Sequence, residues 1–337
     1  RENGTCYIAV FCGFGKTHLG SYLSSQLGYQ TLILSHRKMI SNAWNETIKQ
    51  VFGLEPITFE EHLKGKFSPI VVGSAIKVGK TDPKKLLCFG TVIVDEAVYF
   101  CTPQYILSVL RTTPKYLVGM CAEWERQDGL HKMLPYFFGE QKKYIIRINE
   151  KPFHVFRYQT NIKPPMRYQR FTGKLDWNAI VEYLSNHPER NKMICNICSI
   201  FAKNKILILC KRIEQCDTLY QMLSNSNESV STLYGSKDSF YSSRVLVSTY
   251  SKVSVGFDDK NTCIDFDGQR LDLLILATDT ENVEQAVGRV MRTAEVPRII
   301  DIVDDFSSLT KHWKVREKFY KTRNGVISEE AIMFKSA

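Results

Sequence analysis

The chain has 337 residues, of which 44% are apolar and 24% are charged, and its formal net charge is +10 at pH 7. This length predicts two domains, and this composition excludes an intrinsically disordered chain. No apolar run approaches the length that crosses a bilayer, so no membrane partner is expected. The basic balance favours a polyanionic partner, although charge alone fits a basic protein without such a partner equally well.

The ten cysteines lie mostly in or beside apolar runs, which is typical of buried thiols in a reducing compartment. Cys195 and Cys198 form the one CxxC pair of the sequence, without a second ligand pair downstream. They are therefore interpreted as core residues rather than as a zinc site. Residue 1 is Arg and the first apolar run starts almost at once, so we expect a natural N-terminal region to precede this chain.

The first predicted strand leads through a glycine loop into a helix. Residues 10–17 read Val-Phe-Cys-Gly-Phe-Gly-Lys-Thr, and a helical pattern runs from there to Leu27. A strand, a glycine loop and a helix in this order predict a phosphate-binding loop, because the loop amides and the helix N-terminus attract anions. Val10 stands where Gly or Ala is usual in this eight-residue pattern.

Each residue of the loop has a predicted role. Gly13 and Gly15 let backbone amides approach phosphates, while Lys16 reaches the β- and γ-phosphates and Thr17 supplies a hydroxyl to Mg²⁺. The predicted nucleotide-binding residues of this loop are Gly13, Phe14, Gly15, Lys16, Thr17 and His18.

The pattern then alternates between buried strands and helices through both halves of the chain. Such alternation predicts parallel sheets covered on both faces by helices. The strands are predicted at 31–35, 69–73, 91–94, 115–119, 144–148, 205–210, 244–248, 271–277 and 298–303. The helices are predicted at 38–51, 177–203, 214–223, 283–291 and 307–321. A lapse of the pattern predicts a linker at 151–170, which separates domains at 1–150 and 171–325, and a tail follows at 326–337.

An acidic pair follows the predicted strand at 91–94. Asp95 and Glu96 therefore stand at the carboxyl end of a parallel strand, where α/β proteins bind ligands. Asp95 is predicted to hold Mg²⁺ together with Thr17, and Glu96 to orient and deprotonate the attacking water. The alternative is a structural role, in which the acidic pair only ends a strand. The upstream glycine loop favours the catalytic interpretation.

A second candidate group lies on the helix before the last predicted strand. Arg289 and Arg292 are three residues apart, so their guanidinium groups point in one direction. Two such arginines often form only a solvated face. With Gln285 and Gly288 beside them they also suit a clamp on a γ-phosphate, which stabilises charge in the transition state.

These motifs, taken together and in this order, resemble superfamily 2 helicases and translocases. The matching segments are GFGKT at 13–17, TLILSHRKMI at 31–40, Gly73-Ser74, DEA at 95–97, 122–130, 205–219, 245–258 and QAVGRVMR at 285–292. LSHRK and ERQDGL are most similar to the transcription and repair branch. CGFGKT resembles the transcript-release helicase type of poxviruses, a type that other large cytoplasmic DNA viruses carry, African swine fever virus among them.

The resemblance implies two tandem RecA-like domains with an ATP-binding cleft between them and ATP and Mg²⁺ as cofactors. It adds Gly256 and Asp258 to the nucleotide-binding residues. It implies contacts with a nucleic-acid backbone, for which the candidates are Ser35, His36, Arg37, Ser74, Lys211, Arg212, Ser248 and Thr249. We expect DNA rather than RNA as the track, transcription machinery as a partner, and a location in the cytoplasm of the host, in the viral factory or in the virion.

Departures from the family pattern leave a second function open. Val98 replaces the histidine that is usual in motif II, and Cys121 and Glu123 replace the hydroxyl residues of motif III. The alternative is therefore a nucleic-acid-binding clamp with weak or no ATP turnover. A small-molecule P-loop kinase is disfavoured, because it leaves the second α/β domain and its paired arginines unexplained.

Overall fold

The computed structural model describes residues 4–11, 13–122, 125–126, 128–147, 151–169, 172–253 and 257–328. The chain divides into two compact units, Arg1–Asn149 and Glu150–Ala337. Each unit contains a parallel β-sheet with helices on its faces, which confirms the predicted α/β class. In the described part of the chain, no helix is long and apolar enough to cross a membrane.

The sheet of the first unit has six parallel strands in the order β3-β2-β4-β5-β1-β6. The strands are β1 Thr5–Val10, β2 Thr31–Ser35, β3 Ile70–Ser74, β4 Thr91–Asp95, β5 Tyr116–Cys121 and β6 Ile145–Arg147. The helices are α1 Lys16–Leu27, α2 Lys38–Phe52, α3 Phe59–Leu63, α4 Ala75–Lys80, α5 Ile106–Leu110 and α6 Leu134–Phe138. The chain crosses from strand to strand through these helices, so all carboxyl ends of the strands meet at one edge.

The sheet of the second unit has seven parallel strands in the order β13-β7-β12-β11-β8-β10-β9. The strands are β7 Phe153–Gln159, β8 Ile206–Cys210, β9 Val230–Leu233, β10 Val245–Thr249, β11 Leu273–Leu276, β12 Arg298–Val303 and β13 Gly325–Ser328. The helices are α7 Trp177–Asn186, α8 Pro188–Ile200, α9 Ile213–Asn225, α10 Tyr250–Val253, α11 Asp259–Thr262, α12 Glu284–Val290 and α13 Ser307–Thr322.

Both faces of this second sheet are buried, as the continuous apolar strands predicted. In β8, Leu207 and Leu209 pack into the core on one face of the sheet. Ile206 and Ile208 pack into the core on the other face. Since successive side chains of a strand point to opposite faces, an uninterrupted Ile/Leu run is what a doubly covered strand requires.

The segment predicted as a linker, 151–170, contains a strand of the second sheet. β7 pairs in parallel with β12 and with β13, and Phe153 and Val155 are buried. Lys151-Pro152 before this strand and Pro164-Pro165 after it resemble loop composition, which hid its alternating pattern. The predicted tail likewise differs, since it overlaps β13 up to Ser328.

The single long helix predicted over 177–203 is two helices. α7 ends at Asn186, and α8 begins with Pro188 at its first position. Proline lacks the amide that a helix interior needs but fits the first turn of a helix. His187 accepts a hydrogen bond from the Arg190 amide through its ring Nδ1, so it caps the second helix.

Candidate functional site

The glycine loop connects β1 to α1 at the carboxyl edge of the first sheet. Gly13 and Gly15 both have a φ of 92°, which is in the region that favours glycine. α1 then begins at Lys16, so the side chains of Lys16 and Thr17 leave from its first turn. No described residue bonds to the Thr17 hydroxyl, which therefore remains available to a ligand.

The acidic pair lies at the same edge, because β4 ends at Asp95. Lys16 Nζ donates to Glu96 Oε1 over 2.7 Å, so the predicted phosphate lysine and the predicted general base form an ion pair. Cys121, the last residue of β5, donates its thiol to Glu96 Oε2 at 3.1 Å. Both oxygens of the Glu96 carboxylate are thus engaged.

Two N–H donors hold the neighbouring Asp95 carboxylate in place. The Glu96 backbone amide donates to Asp95 Oδ1 at 2.9 Å, and the Trp44 indole donates to Oδ2 at 2.7 Å. Trp44 is completely buried and Asp95 is nearly so. A carboxylate held in this way by N–H donors keeps lone pairs for a hard cation such as Mg²⁺, and the free Thr17 hydroxyl is a matching oxygen ligand. The residues present fit a magnesium-bound nucleotide.

The two carboxyls of the pair differ in their proton affinity. Burial raises the pKa of Asp95, and the adjacent Glu96 carboxylate reinforces this effect against the charge of Lys16. Burial also opposes ionisation of Glu96, but the ammonium of Lys16 outweighs it and lowers the pKa of Glu96. The two pKa values therefore shift in opposite directions, and the lowered pKa of Glu96 favours its ionised form, which a group that accepts a proton from water needs.

In the second unit, the structure brings together the predicted arginines and Asp258. Arg289 and Arg292 each donate through Nη1 to the Phe257 carbonyl, at 2.8 Å and 3.1 Å. Arg292 Nη1 also pairs with Asp258 Oδ2 at 2.5 Å. Gln285 is half-buried on α12, whereas Arg292 follows the end of this helix. Gly256 and Glu123 lie outside the described residues.

Comparison with known proteins assigns the chain to a family. The chain is 34% identical over 361 aligned positions to “Putative helicase 161L” of Invertebrate iridescent virus 6, covering 97% of this chain and 78% of that protein. It is 31% identical to “Putative helicase 055L” of Frog virus 3, covering 95% of this chain and 73% of that protein. The chain belongs to the superfamily 2 helicases of large DNA viruses. No family model matches it.

Solved structures agree with the RecA-like fold of this helicase. Yeast Dbp5 bound to RNA and ADP BeF3 matches with a TM-score of 0.61 at 13% identity, over 97% of this chain and 86% of that chain. The Hef helicase domain of Pyrococcus furiosus matches with a TM-score of 0.57 at 12% identity, over 93% and 95%. At these identities the likeness concerns the fold, which the resemblance of the motifs had predicted.

Several predicted nucleic-acid contacts of the helicase stand where a strand ends and a helix begins. Arg37, Ser74 and Arg212 are the residues directly before α2, α4 and α9. Lys211 is exposed beside Arg212. The positive ends of helices favour phosphate groups, and the contact of these residues with nucleic acid stays a prediction.

Other predicted contacts have their side chains engaged inside the protein. Ser35 Oγ lies 2.5 Å from Ser41 Oγ, and Ser248 donates its hydroxyl to the Leu233 carbonyl. Thr249 Oγ1 lies 3.2 Å from Ser251 Oγ. His36 stacks on Tyr99 with 4.7 Å between ring centroids. In this structure these side chains serve the fold, and their contact with nucleic acid stays a prediction.

Three residues near the site carry contacts that no motif indicated. Trp44 binds Asp95, and Cys121 binds Glu96, although the sequence identified Cys121 only as a departure from motif III. Arg270 pairs with Asp258 at 2.9 Å and also with Asp259. The available signal for Cys121 was its position at the end of a strand beside β4; nothing in the spacing of Trp44 or Arg270 points to the site.

Proposed function

We propose that this helicase hydrolyses Mg·ATP and couples the cycle to movement along nucleic acid, with DNA as the track and viral transcription as the task. The observation that carries the proposal is the convergence of Lys16, Asp95 and Glu96 at the edge of the sheet that also presents the glycine loop. This is the minimum set for phosphoryl transfer to water: a phosphate cradle, a metal carboxylate and a base.

The residues of the first unit divide the chemistry among themselves. Lys16 exchanges its ion pair with Glu96 for the β- and γ-phosphates, and the loop amides from Gly13 to Thr17 bind the same phosphates. Thr17 and Asp95 would hold Mg²⁺, which would neutralise charge on the phosphates. Glu96, released from Lys16, orients the attacking water and accepts its proton.

The second unit contributes Gln285, Arg289 and Arg292 as a proposed clamp on the γ-phosphate. Arg292 pairs with Asp258 in this structure. Catalysis therefore requires the Arg292 guanidinium to leave Asp258 or to bind the γ-phosphate while it keeps this contact. The motif resemblance supports this role, and it also supports a nucleotide contact of Asp258. An arginine that stabilises transition-state charge accounts for large rate factors in other phosphoryl-transfer enzymes.

The choice of DNA over RNA and the role in transcript release rest on the motif resemblance alone. One relative with 25% identity is named “Putative ATP-dependent RNA helicase L396” of Acanthamoeba polyphaga mimivirus. The experiment below therefore compares DNA and RNA as the track. Location in the viral factory, in the virion or beside the transcription machinery belongs to the same proposal.

The decisive measurement is steady-state ATP hydrolysis with no nucleic acid, single-stranded DNA, duplex DNA or RNA. We expect stimulation by DNA. Removing the phosphate lysine (Lys16→Ala) or the base (Glu96→Gln) should lower the stimulated rate by about 10²–10⁴-fold. Arg292→Ala should lower it by about 10²–10³-fold. Lys142→Ala, which removes an exposed lysine that pairs with Glu140, is the matched control and should leave the rate unchanged.

The outcomes separate the two functions that the sequence left open. Turnover that depends on Lys16 and Glu96 supports the motor, and the most effective nucleic acid identifies the track. Tight binding of nucleic acid without turnover in the wild type would instead indicate a clamp. The Cys121–Glu96 hydrogen bond favours the motor, because it orients the base although the usual hydroxyls of motif III are absent.

A further inference from the structure

Trp44 belongs to no motif, yet its indole N–H binds one of the two carboxylates of the site. We propose that Trp44 is a positioning residue that couples the nucleic-acid end of α2 to the Asp95 carboxylate. The proposal rests on the proposed function, in which Asp95 holds Mg²⁺ and the segment before α2 contacts nucleic acid.

The hydrogen bond defines the orientation of the Asp95 carboxylate. One oxygen accepts the Glu96 amide, which comes from the same strand end. The other accepts Trp44 Nε1 at 2.7 Å, which comes from a helix 51 positions earlier in the chain. Because Trp44 is 0% exposed and Asp95 is 6% exposed, water does not compete for this bond. Any displacement of Trp44 must therefore move or release one oxygen of the predicted metal ligand.

The indole ring has no room to absorb a displacement by itself. A Cβ atom added at Gly20 would lie 2.4 Å from the Cη2 atom of Trp44 and 2.9 Å from Met120 Cε, so only glycine fits beneath the ring. Gly20 lies on α1, the helix whose first turn carries Lys16 and Thr17. Trp44 is thus wedged between the phosphate-binding helix and the acidic pair, and dense packing of this kind transmits small shifts.

The other end of α2 carries the predicted nucleic-acid contact. Arg37 directly precedes the helix, and Trp44 follows seven residues later, which is about two turns, or roughly 10 Å, along the helix. The contact of Ser35 Oγ with Ser41 Oγ at 2.5 Å ties the preceding strand end to the first turn of α2. A phosphate that shifts the start of this helix therefore shifts the indole.

Linkage makes this coupling reciprocal and measurable. Mg-nucleotide and nucleic acid change each other's affinity by the same factor. If the start of α2 and Asp95 are coupled through Trp44, this factor must differ from one and must depend on Trp44. If Trp44 only packs in the core, its substitution would change the stability of the protein but leave this coupling factor unchanged. The factor therefore distinguishes a positioning role from a packing role.

The test uses Trp44→Phe, which keeps an aromatic ring in the pocket and removes the N–H donor. The affinity for fluorescent single-stranded DNA and RNA is measured by anisotropy with and without Mg²⁺ and a non-hydrolysable ATP analogue. In the wild type we expect the nucleotide to change the affinity at least fivefold; in Trp44→Phe we expect the ratio to fall to within twofold of one. A wild-type ratio of one, or an unchanged ratio in the variant, would overturn the proposal.

Two controls accompany this measurement. Trp313→Phe removes an equally buried indole, 3% exposed, from the second unit and should keep the wild-type ratio. Direct binding of the Mg-nucleotide to the wild type, abolished by Lys16→Ala, tests the proposed function separately. If the wild type does not bind the Mg-nucleotide, the proposed function is rejected. If the wild type binds it and Trp44→Phe keeps the wild-type affinity ratio, only the role of Trp44 is rejected.

A second experiment does not depend on the folding of Trp44→Phe. A chain that retains Trp44 and has Phe at the other three tryptophan positions shows a single indole ¹H–¹⁵N resonance. We expect this resonance to shift on addition of nucleic acid alone and, separately, of Mg-nucleotide alone. Saturation with nucleic acid without a shift would contradict the coupling.

Discussion

Glu96 has a φ of 53°, in the left-handed region that costs a residue with a Cβ about 1–2 kcal/mol. Its side chain nevertheless meets Lys16 and Cys121, so two hydrogen bonds hold a strained backbone in place. Strained residues of this kind concentrate at functional sites, where surrounding contacts determine the conformation. The turn after Asp95 places the Glu96 carboxylate between Lys16 at the start of α1 and Cys121 at the end of β5.

His36 is the other unusual residue of this region. It packs among Tyr99, Phe100 and Tyr105, and both of its ring nitrogens are buried without a partner among the described residues. Burial, aided by the charge of Arg37, lowers the pKa of His36 to about 4. The ring is therefore neutral in the folded protein at neutral pH.

This low pKa predicts a loss of stability in mild acid. The unfolded chain binds a proton near pH 6.5, whereas folded His36 does not until about pH 4, so the free energy of unfolding falls as the pH drops between these values. Discounted for partial exposure, the loss is about 1 kcal/mol between pH 7 and pH 5. Urea denaturation of His36→Phe should show a shallower pH dependence than the wild type.

The control for this prediction is His154→Phe, which replaces an exposed histidine of β7. That variant should keep the pH dependence of the wild type. An equal slope in the wild type and in His36→Phe would show that the His36 ring is accessible to protons in the folded state.

At the scale of elements, α13 is the clearest case of a helix fixed by buried charge. Arg316 is 1% exposed and donates Nη2 to Asp301 Oδ1 at 2.8 Å and Nη1 to Asp279 Oδ1 at 2.6 Å. Asp301 belongs to β12, and Asp279 follows β11. The helix that the sequence predicted over 307–321 is therefore attached to two adjacent strands.

Removing this arginine should strongly destabilise the second unit. Arg316→Met keeps the apolar stem but leaves the buried Asp301 carboxylate without its cation and takes one basic partner from Asp279, which also contacts His312. Breaking a buried pair in this way costs about 3–5 kcal/mol. Urea denaturation followed by circular dichroism measures the change. Lys318→Ala on the exposed face of the same helix is the matched control and should stay within about 0.5 kcal/mol of the wild type. A similar small effect of Arg316→Met would show that the pair contributes little.

At the scale of the whole molecule, the net charge of +10 is spread over two units that each resemble a RecA domain. We expect such a chain to bind the phosphates of a nucleic acid through several separate contacts. The affinity for nucleic acid must then depend strongly on salt, because each contact releases counterions from the strand.

For about five phosphate contacts, the affinity for single-stranded nucleic acid should fall about 100-fold between 50 and 200 mM salt. Arg37→Ala should reduce the slope of log affinity against log salt by about 0.7, the share of one contact. Lys142→Ala should not change the slope. Anisotropy titrations at four salt concentrations measure it, and an unchanged slope in Arg37→Ala would remove this residue from the interface.

Much of the fold was readable from the sequence because its strongest signals are local. The apolar runs at Thr31–Ser35 and at 205–210 and the helix over 307–321 have the period and length of their elements. β7 was missed because prolines flank it and its polar residues alternate with aromatic ones. α7 and α8 were merged because Pro188 interrupts a helical pattern without changing its apolar period.

The glycine loop, the acidic pair and the arginines could be identified as candidate site residues from the sequence by itself, since each is a short motif on or directly beside one element. Only the tertiary structure decided which side chains bind the two carboxylates of the acidic pair. Trp44 meets Asp95 across 51 positions and Cys121 meets Glu96 across 25. Both contacts depend on strand register and helix packing, such as the alignment of Asp95 with Met120. Spacing along a chain carries no such information, because register is set by the burial of whole strands.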